Sequence, residues 1–218
     1  MPGYVLHGNT FMKHRILIAT GNRGKAREII SILQDEGAGD SEFILPMDIG
    51  ITESPFEKGE NYESNASIKA RFYGEKSGIL SLADDSGLEV FALGGYPGIK
   101  SARVASPENT DRSRYEILLQ NMINIPKGER GARFVCVAAA YSPEFDRIIT
   151  ARGEWFGEIL ETARGKEGFG YDPVFYIPEL KKTAAELTKS EKNAISHRGQ
   201  AFRLLWRKIT EDTGFIND

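Results

Sequence analysis

Thr20-Gly21-Asn22-Arg23-Gly24-Lys25 places small polar residues, two glycines and two cations between an apolar run and a helical pattern. A strand-to-helix turn of this kind leaves backbone N–H groups at a helix N-terminus. The helix field there favours an anion, and Arg23 and Lys25 add side-chain donors. The stretch is neither a P-loop nor a dinucleotide fingerprint, because Ala19 lies five residues before Gly24 and Ala26 follows Lys25. An ordinary strand–helix turn is the competing reading. Ala83-Asp84-Asp85-Ser86-Gly87-Leu88 puts two carboxylates at the expected C-terminal end of a buried strand. Adjacent strand residues point to opposite faces, so only one of them serves a given cleft. A carboxylate leaving an apolar strand is costly to desolvate unless a cation or donors await it. Mg²⁺ suits such a position, since it takes one or two carboxylates and completes its shell with water and phosphate oxygens. A solvated Asp-Ser-Gly turn is the alternative.

Two further stretches lie towards the C-terminus. Gly165 to Pro173 (GKEGFGYDP) holds three glycines in six residues, with Phe169, Tyr171 and Asp172. Such a loop can fold around a flat ligand, stack on it and accept from its edge, or its aromatics can simply anchor the loop to the core. Lys192, His197 and Arg198 offer three donors just ahead of the last expected helix, where a solvated helix start is the plainer reading. Together the four stretches read as an anion loop, a metal-type carboxylate, a stacking loop and base-edge donors. That set describes a site for a nucleoside triphosphate.

The elements that must position these residues are legible in outline. Ile16 to Ala19 reads as a buried strand, and Lys25 to Gln34 as a helix with Ala26, Ile29, Ile30 and Leu33 at helical spacing. Glu42 to Leu45 and Ile79 to Ala83 read as strands, and Asn61 to Ser77 and Asp111 to Met122 as helices. Arg133 to Tyr141 and Arg147 to Glu158 form an expected hairpin, interrupted at Gly153. Thr188-Lys189-Ser190-Glu191 is a capping box opening a short helix, and Ala201 to Ile209 is the final helix. Strands alternating with helices before a hairpin argue for an α/β fold with a mixed sheet. No repeat or linker divides the chain, so residues 15–218 form one expected domain behind a tail or alternative start at 1–14.

Composition limits the partners. The 28 Lys+Arg against 31 Asp+Glu leave a net charge of −3, which argues against a nucleic-acid surface. No apolar run approaches the roughly 20 residues a membrane span needs. The single Cys136 excludes an internal disulfide and fits a reducing, cytoplasmic setting. The 23 glycines are about one residue in ten, against a typical ~7%, and many fall in or beside the four stretches.

Thr20-Gly21-Asn22 with Lys25, ADDSGLEV at 83–90, GGYPGIKSAR at 94–103, GFGYDPVF at 168–175 and SHRGQA at 196–201 occur in that order. In these motifs the chain resembles the inosine/xanthosine triphosphate pyrophosphatase family from about Arg15 to the C-terminus. The resemblance implies an elongated, two-lobed single domain around a central mixed sheet flanked by helices, with a nucleotide cleft between the lobes. It also implies a homodimer and Mg²⁺-dependent hydrolysis of ITP, dITP or XTP to the monophosphate and pyrophosphate. Thr20, Gly21, Asn22, Arg23, Gly24, Lys25 and Lys69 would meet the phosphates, with Ser86 beside the substrate. Glu57 and Asp85 would hold the metal, and Asp85 would also be the base for the attacking water. Phe169 would stack on the purine, Gly170, Tyr171 and Asp172 would complete that loop, and Lys192, His197 and Arg198 would read the base. Glu57 is placed only by its position ahead of Asn65-Ala66 and Lys69, with Glu53, Glu60 and Glu63 as rivals. Arg103 would face the phosphates or form a salt bridge. Cationic or N–H donors from His197 and Arg198 would favour a 6-oxo purine over adenine, while rejection of GTP must involve the 2-position.

Overall fold

The computed structural model describes residues 14–56, 59–104, 111–212 and 215. The expected tail therefore lies outside the described residues apart from His14. Seven strands form one mixed sheet, ordered β2-β1-β3-β4-β5-β6-β7. They are β1 (Arg15–Ile18), β2 (Glu42–Ile44), β3 (Leu80–Val90), β4 (Gly131–Ser142), β5 (Arg147–Ile159), β6 (Phe175–Ile177) and β7 (Lys182–Thr183). β1 is parallel to both of its neighbours, and β3 through β7 pair antiparallel. The helices are α1 (Arg23–Leu33), α2 (Tyr62–Ser77), α3 (Asp111–Asn121), α4 (Lys189–Ile195) and α5 (His197–Glu211). Among the described residues, no helix is long and apolar enough to cross a membrane.

The period-2 alternation of β3 divides the interior. Leu82 faces a cluster that includes Ile18, Ile29 and Leu33 around α1, and Phe202 and Leu205 of α5. Leu88 and Val90 project on the same face into a second cluster with Phe134, Trp155, Tyr171 and Phe175. Asp84 and Ser86 fall between the two on that face. Ala83 turns to the opposite face, with Ala66, Ala70 and Tyr73 of α2, and Asp85 follows it there.

β3 does not end at the Asp pair, as the turn-forming Asp-Ser-Gly suggested. It continues to Val90 because β4 pairs with it residue by residue, Asp84 opposite Ala138 and Ser86 opposite Cys136. What ends there is β1, whose last pairing is Ile18 with Leu82. The carboxylates therefore stand mid-strand, on an edge left open where the neighbouring strand stops. The last helix also begins earlier than Ala201. Ser196 is its N-cap, accepting from the Gly199 N–H at 3.1 Å, so His197 and Arg198 lie in the first turn of α5. The capping box at Thr188 and Glu191 is present and opens α4.

β5 runs unbroken through Gly153, pairing it with Cys136, so the expected interruption is absent; the glycine is there because the buried first turn of α5 packs directly on it. A Cβ there would sit against the His197 carbonyl oxygen and 2.8 Å from the Ala201 nitrogen. Gly153→Ala should therefore lower stability by about 1–3 kcal/mol through overpacking, read as a reduced midpoint in urea unfolding. An unchanged midpoint would contradict this contact.

Candidate active site

The turn after β1 is fastened by its own side chains. Asn22 is the N-cap of α1, its Oδ1 accepting from the Gly24 N–H at 2.8 Å and the Lys25 N–H at 3.1 Å. Thr20 Oγ1 accepts from the Asn22 N–H at 3.1 Å. These amides are thus satisfied internally and are not free for an anion, contrary to the reading from sequence. The positive group that the turn aims inwards is Lys25, whose Nζ is paired with Asp84 Oδ2 at 3.0 Å. Arg23 is exposed and, with Gly24, Arg27, Lys189 and Asn193, borders an outer cavity that Phe169 and Lys192 also line.

On the other sheet face, Asp85 is held by α2. Asn65 Nδ2 donates to Asp85 Oδ2 at 3.0 Å, and Lys69 Nζ lies 3.4 Å from Oδ1. Asn65 Oδ1 in turn accepts from the Gly59 N–H at 2.9 Å. Burial pushes the Asp85 carboxyl above the ordinary range, opposed by Lys69, the Asn65 hydrogen bond and Lys25. A partly desolvated carboxylate of this kind is a better proton acceptor than an exposed one.

On the first face an inner cavity is lined by Asn22, Lys25, Ser86, Leu88, Phe134, Phe169, Tyr171, Lys192, His197 and Arg198, among others. The capped starts of α4 and α5 bring its cations together. Lys192 Nζ lies 2.6 Å from Asp172 Oδ2 and 2.8 Å from Glu28 Oε1. Arg198 Nη1 lies 2.6 Å from Glu28 Oε2, and its Nη2 reaches Asp84 Oδ2 at 3.2 Å and Ser86 Oγ at 2.9 Å. Burial opposes the Lys192 charge, yet Asp172 and Glu28 outweigh it and hold the ammonium above its ordinary pKa. Burial likewise opposes the Asp84 charge, and Lys25 and Arg198 overcome it, keeping that carboxyl well below the ordinary range. Phe169 stands under these cations, 4.9 Å from Lys192 Nζ and 5.6 Å from Arg198 Cζ to its ring centroid.

The stacking loop divides its labour. Phe169 and Tyr171 both line the cavity, but Tyr171 is also a buried core residue whose hydroxyl donates to the Ser101 carbonyl at 3.1 Å. Asp172 is committed to Lys192 and to the Phe169 N–H at 2.8 Å, so it shapes the loop and is not an open acceptor for a base. Gly168 permits this wrap at φ 77°, since a Cβ there would strike the Asp172 carboxylate.

His197 lines the inner cavity as a flat ring. Its ring lies flat on Phe134, centroids 4.7 Å apart at 10°, and its Nδ1 is buried without a hydrogen-bond partner. Burial and the Arg198 and Lys192 charges beside it push its pKa well below the ordinary value, so it is a neutral aromatic floor and not a cation.

The structure thus gathers Asn22, Lys25, Ser86, Phe169, Gly170, Tyr171, Asp172, Lys192, His197 and Arg198 at one cavity, with Asp85 and Lys69 on the opposite face of the same open edge. Thr20 supports the turn, and Gly21 lines neither cavity. Glu57 lies outside the described residues. Two of its rivals are engaged elsewhere, Glu53 with Lys76 and Glu63 with Thr150 Oγ1 at 2.7 Å. Arg103 is exposed and does not line the inner cavity. Glu28, Asp84, Asn65 and Phe134 were not singled out as site residues from sequence. The visible signal among them is Asp84, one of the two adjacent carboxylates of the 83–88 stretch.

A sequence model of the Ham1 family matches residues 16–208. The dITP/XTP pyrophosphatase of Yersinia pseudotuberculosis is 45% identical over 192 residues, covering 88% of this chain and 95% of that protein. The protein of the same name from Shigella flexneri is 44% identical with the same coverage. Among solved structures, a HAM1 protein from Coxiella burnetii is similar at TM-score 0.80 and 40% identity, covering 92% of this chain and 100% of that one. The Staphylococcus aureus Ham1 protein is similar at TM-score 0.78 and 38% identity, covering 90% and 98%.

The buried imidazole makes a definite pH prediction. Because the folded state holds His197 below the unfolded value of about 6.5, the unfolded chain binds the extra proton, and stability falls as pH drops through that value. The His197 ring resonances in NMR should keep their neutral-form shifts at pH 6. A midpoint near 6.5 would contradict the buried, neutral assignment.

Proposed function

The chain belongs to the Ham1 family, and on that footing we propose that it hydrolyses noncanonical purine nucleoside triphosphates, ITP, dITP and XTP, to the monophosphate and pyrophosphate. The observation that carries this reading is the pair of buried cations, Lys192 and Arg198, locked by carboxylates beside Phe169 in a cavity that also admits Lys25. A purine stacked on Phe169 would meet donors at its 6-position, and its phosphates would extend towards Lys25. Hypoxanthine and xanthine offer a 6-oxo acceptor there. Adenine offers an amino donor, which would leave a cation desolvated and unpaired.

Mg²⁺ fits the residues present. Asp85 offers hard carboxylate oxygens on the edge left open where β1 stops. That suits an ion that completes its shell with water and phosphate oxygens. Asp85, with Glu57, would hold it, and when bound it would neutralise phosphate charge and make a water more acidic. The chain's own residues do the rest. Asp85, aimed by Asn65, accepts a proton from the attacking water, while Lys25 and Lys69 offset charge on the phosphate chain as pyrophosphate departs. We place this activity in the cytoplasmic nucleotide pool, with no nucleic-acid or membrane partner. We also propose a homodimer. Phe91 and Phe156, 6.5 Å apart by ring centroid, are 52% and 58% exposed, a pairing that a second copy would cover.

Incubation with Mg²⁺ and ITP, dITP, XTP, ATP or GTP should release pyrophosphate chiefly from the first three, and release of inorganic phosphate would contradict the cleavage position. Asp85→Asn should lower kcat by a factor on the order of 100 or more without a lower melting midpoint, and near-normal turnover would reject its role. Light scattering should give a mass near twice 24.2 kDa, whereas a monomer mass would reject the dimer.

A further inference from the structure

We propose that Asp84 is a positioning residue that makes recognition of the base depend on capture of the phosphates. The inference rests on the pyrophosphatase reading and deepens it. Asp84 is 2% exposed and does not line the inner cavity, so it acts through its neighbours. Those neighbours belong to opposite ends of the substrate. Lys25 projects from the phosphate turn, and Arg198 is one of the two cations at the base end.

Both cations use one oxygen. Lys25 Nζ is 3.0 Å and Arg198 Nη2 is 3.2 Å from Oδ2, while Oδ1 is buried with no hydrogen-bond partner. Two cations sharing one acceptor each weaken the other's hold. The remaining contacts of Arg198 are fixed by the protein, Nη1 on Glu28 Oε2 at 2.6 Å and Nη2 on Ser86 Oγ at 2.9 Å. Its Nε is buried without a partner, so the variable element in its anchoring is the share of Asp84 Oδ2 that it commands.

Ligand-free, Lys25 is parked on Asp84. A phosphate chain at the end of α1 offers Lys25 a stronger partner and draws its charge away from Oδ2. The carboxylate, still buried, then has Arg198 as its one hydrogen-bonded cation, and its hold on the guanidinium tightens. The plane that reads the base is thereby fixed most firmly when phosphates are present. A nucleoside lacking phosphates meets a more loosely held Arg198. This is a coupling free energy between two parts of one substrate, carried by a shared carboxylate.

The test compares kcat/KM for ITP and ATP in the unaltered enzyme, Asp84→Asn and Asp84→Glu. Asp84→Asn keeps the shape but removes the charge, so the ITP:ATP ratio should fall by at least roughly threefold. Asp84→Glu, which restores a carboxylate, should recover part of the lost ratio. A packing role would slow both substrates alike, so a smaller change in the Asn variant overturns the proposal. An unaltered enzyme with no preference for ITP would instead reject the functional reading. Should Asp84→Asn not fold, calorimetric titration of the unaltered protein with inosine, with and without tripolyphosphate, decides the matter. Tripolyphosphate should tighten inosine binding, and unchanged or weaker binding overturns the coupling.

Discussion

Six charged side chains form a continuous chain of contacts through the protein: Lys25, Asp84, Arg198, Glu28, Lys192 and Asp172. Each would be costly to bury alone, and each is tolerated because the next one compensates it. Such a network adds little net stability compared with an apolar core. Removing one member, however, costs about 3–5 kcal/mol, because it strands a desolvated charge. The constraint is therefore geometric. α1, β3, α4, α5 and the loop carrying Phe169 must keep their relative positions for the charges to remain paired, and those positions build the cavity.

The backbone delivers the charges by simple rules. β1 ends while β3 continues, which opens an edge, and the alternation of β3 sends Asp84 to one face and Asp85 to the other. Hydrophobic clusters on either side of Asp84 and Ser86 close the first face above and below. The Lys25 charge favours the ionised form of both carboxylates, one on each face of the open edge. One pair of adjacent residues is thus split between two environments: Asp84 sits within the ion network, and Asp85, held by α2, is the carboxylate we propose for proton transfer.

Much of this was legible from residue order, and the failures have physical causes. The period-2 rule foretold that Asp84 and Asp85 would face apart. It did not reveal that β3 continues, since Asp-Ser-Gly favours a turn locally and only pairing with β4 overrides it. Donors at 192, 197 and 198 are visible, but α5 begins four residues before the apolar stripe that marks it in the sequence, because Ser196 caps it and His-Arg-Gly lies ahead of that stripe. His197 reads from the sequence as a cationic or N–H donor, and only the packing that buries it beside Arg198 and Lys192 keeps it neutral. Tyr171 and Phe169, alike on paper, are separated by which ring the core claims. Glu28 carried no motif of its own, and its importance comes entirely from the two cations that tertiary packing brings to it.

The central claim is that the preformed ion network holds a purine by its 6-oxo edge while the phosphates reach Lys25. The most direct measurement is a crystal structure with an ITP analogue whose α,β-bridging oxygen is replaced by an imido group. The account predicts the base stacked on Phe169, its 6-oxo oxygen within hydrogen-bond distance of Arg198 or Lys192, and Lys25 on the phosphates. A base bound elsewhere, or one turned with its 6-position away from both cations, would contradict it.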